Sequence, residues 1–152
     1  MPEFKKASLT SDIAYFYLDT QKIEVLLIKR KSDPFKGCWA MPGGFVELAN
    51  DETFMQAAIR EFREECGVRL NSKDLAFFTV LDDPKRDPRD RVVSAVFVAH
   101  VTSEKSKNKV KAGDDAAELK WFNVDKLPPI AFDHLPVLEK IIANFKPQQY
   151  LY

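Results

Sequence analysis

The sequence predicts an α/β (α+β) sandwich in which helices pack on a mixed β-sheet. Three observations point there. Strand-like runs occupy residues 8–18, 22–30, 75–82, 91–102 and 117–124. Helical segments interrupt them once, at about 53–66, and close the chain at about 135–145. At 152 residues and 45% hydrophobic, the chain is sized for one domain over residues 1–152 with a substantial core. Helices interspersed with strands must bury their apolar stripes on the sheet faces, which gives a layered sandwich.

Taken in order, the run KIEVLLIKR is β-branched and apolar, and DTQK before it forms a hairpin turn back to the first strand. The segment from Ser32 to Glu47 is rich in turn formers and reads as a loop with a short strand. Its Gly43-Gly44 pair lets the backbone approach another group closely. The mid-chain helix starts at a capping box, Thr53 with Gln56, and stops at Gly67. Met55, Ala58, Ile59, Phe62 and Cys66 fall on its buried stripe, with the charged residues and Ala57 on the far arc. Residues 82–91, with two prolines among charges, form a loop. The polar stretch 103–112 reads as a mobile loop in which Lys105, Lys107, Lys109 and Lys111 are solvated. The last helix runs from Leu135 to Phe145, capped by Asp133 or His134, with Pro136 in its first turn. His134 reads as a cap or packing residue.

Composition excludes some function classes. Lys plus Arg and Asp plus Glu each number 23, giving a formal charge of +0, so the basic footprint of a nucleic-acid binder is missing. No run is long and apolar enough for a membrane span, and the start MPEFKK lacks the apolar region of a signal peptide. Cys38 and Cys66 are too few for a disulfide framework and read as buried free thiols, in a cytoplasmic setting.

One feature carries chemistry. Residues 60–68 read REFREECGV, so Glu61, Glu64 and Glu65 crowd the last turns of the mid-chain helix. Like charges at this spacing cost about 0.2–0.5 kcal/mol per pair in an isolated helix. A hard divalent cation that wants oxygen ligands rewards such a cluster. Five fixed Arg, Glu and Gly positions arise by accident roughly once in 10⁶ start points at ordinary composition, so a merely solvated helix end is a poor explanation.

The whole stretch from Gly43 to Val68 resembles the Nudix box, G-x5-E-x7-R-E-U-x-E-E-x-G-U with U bulky and apolar. It departs in one respect: seven residues separate Gly44 from Glu52 instead of five, the extra ones falling in the loop LAND. The resemblance implies a Nudix-type α/β/α sandwich with a loop–helix–loop motif, and hydrolysis of a nucleoside diphosphate linked to another group. It implies Mg²⁺ or Mn²⁺ held by Glu61, Glu64, Glu65 and the Gly43 carbonyl, with Arg60 orienting the carboxylates and Glu52 as its partner. Relatives often take a general base from a loop outside the box. Asp114, Asp115 and Glu118 are candidates here, with Glu64 as the alternative.

Three segments are similar to the ADP-ribose pyrophosphatase branch: residues 26–47, 86–94 (with Asp90 where that branch usually has glycine) and 112–134. On that likeness the substrate is ADP-ribose, split to AMP and ribose 5-phosphate. A diphosphate needs cations beyond the metal, which Arg30, Arg86 and Arg89 supply. An adenine needs an apolar wall, from Phe45 or Trp39. The alternatives are a nucleoside triphosphate pyrophosphohydrolase and a non-catalytic module that senses ADP-ribose or a related nucleotide. The expected partner is a small nucleotide, and a homodimer is the expected assembly.

Overall fold

The computed structural model describes residues 3–113 and 118–149. The elements follow in chain order as β1 (Ser8–Leu18), β2 (Ile23–Lys29), β3 (Trp39–Ala40), β4 (Gly43–Phe45), α1 (Phe54–Cys66), β5 (Ala76–Leu81), β6 (Val92–Val101), α2 (Glu104–Lys107), β7 (Leu119–Asn123) and α3 (His134–Gln149). The strands form one mixed sheet in the order β3-β2-β1-β6-β5, with β4 paired to β1 and β7 paired to β2. Among the strand pairs of the described residues, β1 and β6 run parallel and the others are antiparallel.

Because β1 lies mid-sheet, both of its faces are buried and its residues alternate between two cores. Ile13 and Tyr15 pack with Phe62 and Cys66 of α1. Ala14 and Phe16 pack with Val137, Leu138 and Ile141 of α3. The expected α/β/α sandwich is therefore present, with α1 and α3 on opposite faces. Burying a side chain such as Phe62 contributes about 1.5–3 kcal/mol.

The capping box of α1 is formed on both sides: Thr53 Oγ1 accepts from the Gln56 N–H, and the Gln56 side chain accepts from the Thr53 N–H. Gly67 ends the helix at φ 73, a left-handed position where its missing side chain avoids strain. The LAN segment ahead of the helix makes one 3₁₀ turn, so the two extra residues are absorbed locally.

The structure also departs from the sequence reading. The polar stretch 103–112 contains α2, which Ser103 caps by accepting the Ser106 N–H. Lys107 is not solvated: its ammonium pairs with Glu24 and lies 4.7 Å from the Tyr17 ring centroid. A long aliphatic stem suits this half-buried place, which composition alone does not reveal. On α1, Met55 and Ile59 are only half-buried, whereas Ala57 is fully buried. Cys66 is buried as expected but Cys38 is only half-buried, and both are free thiols. The last helix begins at His134 and extends past Phe145 to Gln149. Among the described residues, no helix is long and apolar enough to cross a membrane.

Candidate active site

Helix α1 packs against β1 through Phe62 and Cys66 and also contacts β4, and the fully buried Ala57 lies on the neighbouring row. One helical turn on, the same row carries Glu61, and another turn brings Glu65. Glu61 and Glu65 therefore turn toward β4 rather than away from the core, as the sequence had suggested. The glycine pair makes this approach feasible. A side chain at Gly44 would collide with the Glu61 carboxyl, and one at Gly43 would collide with the Ser11 carbonyl and the Asp12 carboxyl. The Gly43 N–H donates to Glu65 Oε1 at 3.0 Å.

Arg60 anchors the cluster. Its Nε and Nη2 donate to the two oxygens of Glu52 at 2.7 and 3.0 Å, a forked pair. Its Nη1 donates to Glu61 at 2.8 Å and to Glu64 at 3.3 Å, and Nη2 also reaches the Phe45 carbonyl at 2.9 Å. Glu52 accepts the Glu47 N–H as well, which ties the inserted turn to the same guanidinium. Arg60 holds Glu52 well below the usual carboxylate range, and Glu52 raises Arg60. Burial raises Glu61 and pushes Glu65 up to about 8, with Glu61 and Asp12 adding like-charge repulsion at Glu65.

Glu64 stands apart, its side chain 59% exposed and turned to Arg60. As the side chains stand, no group of three His, Cys, Asp or Glu among the described residues is gathered tightly enough to hold an ion. Their oxygens are taken up instead by Arg60 and by the Gly43 N–H. The donor chemistry nevertheless fits a hard divalent cation. Glu47, Glu52, Glu61 and Glu64 surround the single guanidinium of Arg60, Asp12 stands near Glu65, and Glu61 and Glu65 are desolvated carboxyls that a cation would compensate.

A cavity of about 430 Å³ opens beside this cluster. Asp12, Glu47, Glu61 and the glycine pair line it, and so do Arg30, Arg86, Arg89, Phe45 and Phe132. The predicted arginines thus meet the predicted acidic end in one chamber, although they are not equivalent. Arg86 is almost fully buried and forked onto Asp133. Arg89 is forked onto Asp87, which it holds below the usual range. Arg30 donates to the Pro34 carbonyl at 2.7 Å and lies 4.8 Å from the Phe132 ring centroid. Burial lowers Arg30, and the nearby charge of Arg89 lowers it further. Arg89 in turn lies 5.6 Å from the Phe45 centroid and 5.8 Å from that of Phe132.

The other expected contributors divide. Phe45 is 47% exposed at the cavity, whereas Trp39 is a core residue packed edge-on against Phe122. Trp39 is thereby removed as a candidate base-stacking wall. Asp114 and Asp115 lie outside the described residues. Glu118 is exposed and does not line the cavity. Gly113, just before the two aspartates, donates to the Glu65 carbonyl, and a side chain there would collide with the Glu64 carbonyl.

Sequence reasoning missed Asp12, Asp87 and Phe132. Asp12 is the one charged residue of the central strand β1, an anomaly that could have flagged it. Phe132 adopts φ 54, a left-handed conformation that non-glycine residues rarely hold, and nothing local in the sequence announces it.

Comparison with known proteins agrees with this geometry. The chain is 47% identical over 122 residues to an ADP-ribose pyrophosphatase of Methanocaldococcus jannaschii, covering 80% of this chain and 65% of that protein. It is 29% identical over 144 residues to an ADPR responsive transcriptional repressor, NtrR, of Acinetobacter baylyi, covering 93% of this chain and 56% of the repressor. The chain thus spans somewhat over half the length of these curated relatives. Among solved structures, the NUDIX domain of Shewanella oneidensis NrtR complexed with ADP ribose superposes with a TM-score of 0.81 at 27% identity, covering 93% of this chain and 90% of that one. A Francisella tularensis bifunctional NMN adenylyltransferase/ADP ribose pyrophosphatase, complexed with AMP and a manganese ion, gives 0.77 at 31% identity, covering 94% and 43%. Because the NUDIX domain model matches residues 10–145, a span that includes the whole glutamate helix and its Arg60–Glu52 bridge, the chain belongs to the NUDIX domain family.

Proposed function

We propose that the chain hydrolyses the diphosphate bond of ADP-ribose to AMP and ribose 5-phosphate, with Mg²⁺ or Mn²⁺ as cofactor. The observation that carries this reading is the polarity of the cavity. Its acidic end suits a divalent cation, and its Arg30–Arg89 end crowds two guanidinium groups that an anionic diphosphate would relieve. The 47% identity to a pyrophosphatase acting on ADP-ribose supports the choice of nucleotide.

In this reading Glu61, Glu64, Glu65 and the Gly43 carbonyl hold the cation. Once bound, the cation neutralises phosphate oxygens and lowers the pKa of a bound water. Arg60, locked to Glu52, holds Glu61 at the cavity and tethers the outward-projecting Glu64 beside it. Arg30 and Arg89 orient the diphosphate, and Phe45 offers its exposed ring to the base. Arg86 acts indirectly, since its fork to Asp133 fixes the start of α3. The proton of the attacking water goes to Glu64 or to Asp114 or Asp115. The chain would work as a cytoplasmic homodimer.

A sensing reading has its own support, since a repressor's NUDIX domain complexed with ADP ribose shares this fold. Incubation with ADP-ribose and Mg²⁺, followed by identification of products, separates the two. AMP with ribose 5-phosphate is expected; tight binding of intact ADP-ribose would favour sensing.

A further inference from the structure

Asp12 is an acidic residue in the middle of the sheet, 7% exposed and lining the cavity. Its direct partners are uncharged, and the one carboxyl acting on it from nearby, Glu65, is repulsive. Ser94 Oγ donates to Asp12 Oδ2 at 2.5 Å, and His134 Nε2 faces the same oxygen at 3.7 Å. His134 is buried, and its Nδ1 accepts the Met41 N–H at 3.1 Å. That bond leaves the ring proton on Nε2, pointed at Asp12. Among the described residues, no lysine or arginine comes within 4 Å of Asp12.

A carboxylate without a cationic partner in a chamber built for a polyanion is electrostatically adverse. It needs a compensating contact. Oδ2 is satisfied inside the protein, whereas no donor among the described residues reaches Oδ1, which lies beside the side-chain-free face of Gly43. Neutral hydroxyl donors suit such an oxygen, because they take a charge-assisted hydrogen bond without bringing more negative charge. The sugars of a nucleoside diphosphate sugar offer such hydroxyls in vicinal pairs.

We propose that Asp12, oriented by Ser94 and His134, determines specificity by accepting a hydrogen bond from a ribose hydroxyl of the substrate. This inference rests on the nucleotide reading of the cavity given above. Either ribose of ADP-ribose could present the hydroxyl, and binding measurements distinguish them. Calorimetric titration of the metal-free protein avoids turnover. The ligands are ADP-ribose, its 2′-deoxyadenosine analogue, and the β-methyl ester of ADP, which keeps the diphosphodiester charge and lacks the terminal ribose.

The wild-type chain should bind one analogue about tenfold more weakly than ADP-ribose. Asp12→Asn should lose about tenfold toward ADP-ribose and nothing further toward that analogue. Ser94→Ala, which leaves the carboxylate present but unfixed, should show a smaller loss with the same ligand preference. Equal losses toward all ligands, or none, would overturn the proposal. So would weaker Mn²⁺ binding by Asp12→Asn, read by electron paramagnetic resonance, with ligand preference intact. The wild-type comparison among the three ligands needs no variant to fold. A wild-type chain that neither binds ADP-ribose nor hydrolyses it with Mg²⁺ present would instead overturn the parent reading, and this proposal with it.

Discussion

At the level of single residues, the site depends on how three neighbouring glutamates are treated differently by their surroundings. Glu65 is buried against the Gly43 N–H, Glu61 is held by Arg60, and Glu64 projects outward. An exposed Glu64 contributes little to folding, so Glu64→Gln should leave the melting temperature nearly unchanged. Under the proposed role it should still lower kcat by about a hundredfold or more, the scale of removing one charge-stabilising group. Steady-state kinetics alongside a thermal melt checks both halves. Glu65 yields a pH prediction. Its pKa rises from 4.5 to about 8 on folding, so the folded chain binds the additional proton between those values. Stability from this group is full below about pH 4.5 and declines as pH rises toward 8. Melts of the metal-free protein should therefore fall across that window, and Glu65→Gln should flatten the decline. Added Mg²⁺ should raise the melting temperature more at pH 8 than at pH 6, because binding must displace the Glu65 proton. A metal effect independent of pH would count against Glu65 as a ligand.

Elements explain why those residues meet. The glycine pair in β4 permits α1 to bring carboxyls to the strand backbone from one side while Asp12 approaches from the other. In Gly44→Ala the atoms nearest the new methyl are the end of the flexible Glu61 side chain, so the fold should survive and Glu61 should be displaced. Divalent cation affinity should then drop about tenfold by calorimetry, within the 10–100-fold range typical of perturbed ligand surroundings. An unchanged affinity would remove Glu61 from the ligand set. The helix was legible in the sequence because its signals are local: the capping box, the terminal glycine and the apolar stripe all lie within residues 53–67. The orientation of its charged arc was less so. Periodicity separates two faces, but it does not reveal that β4 covers the row of Ala57 and Glu61. Asp12, Phe132 and the Arg86–Asp133 fork depend on residues far apart in sequence, so no local pattern could place them together. Lys107 shows the same limit, since a lysine in a polar stretch gives no hint of Tyr17 on the distant strand β1.

At the scale of the whole molecule, the mixed sheet positions a cation-suited helix end and an arginine–aromatic rim on either side of one cavity. That opposition of charge is what a metal-assisted hydrolysis of a diphosphate requires. The most direct measurement compares kcat/KM for ADP-ribose, NADH, GDP-mannose and nucleoside triphosphates with Mg²⁺ present, identifying the products in each case. ADP-ribose should be preferred, AMP and ribose 5-phosphate should appear in equal amounts, and chelation should abolish turnover. Preferred release of pyrophosphate from nucleoside triphosphates, or ADP-ribose cleavage that survives chelation, would contradict the proposed function.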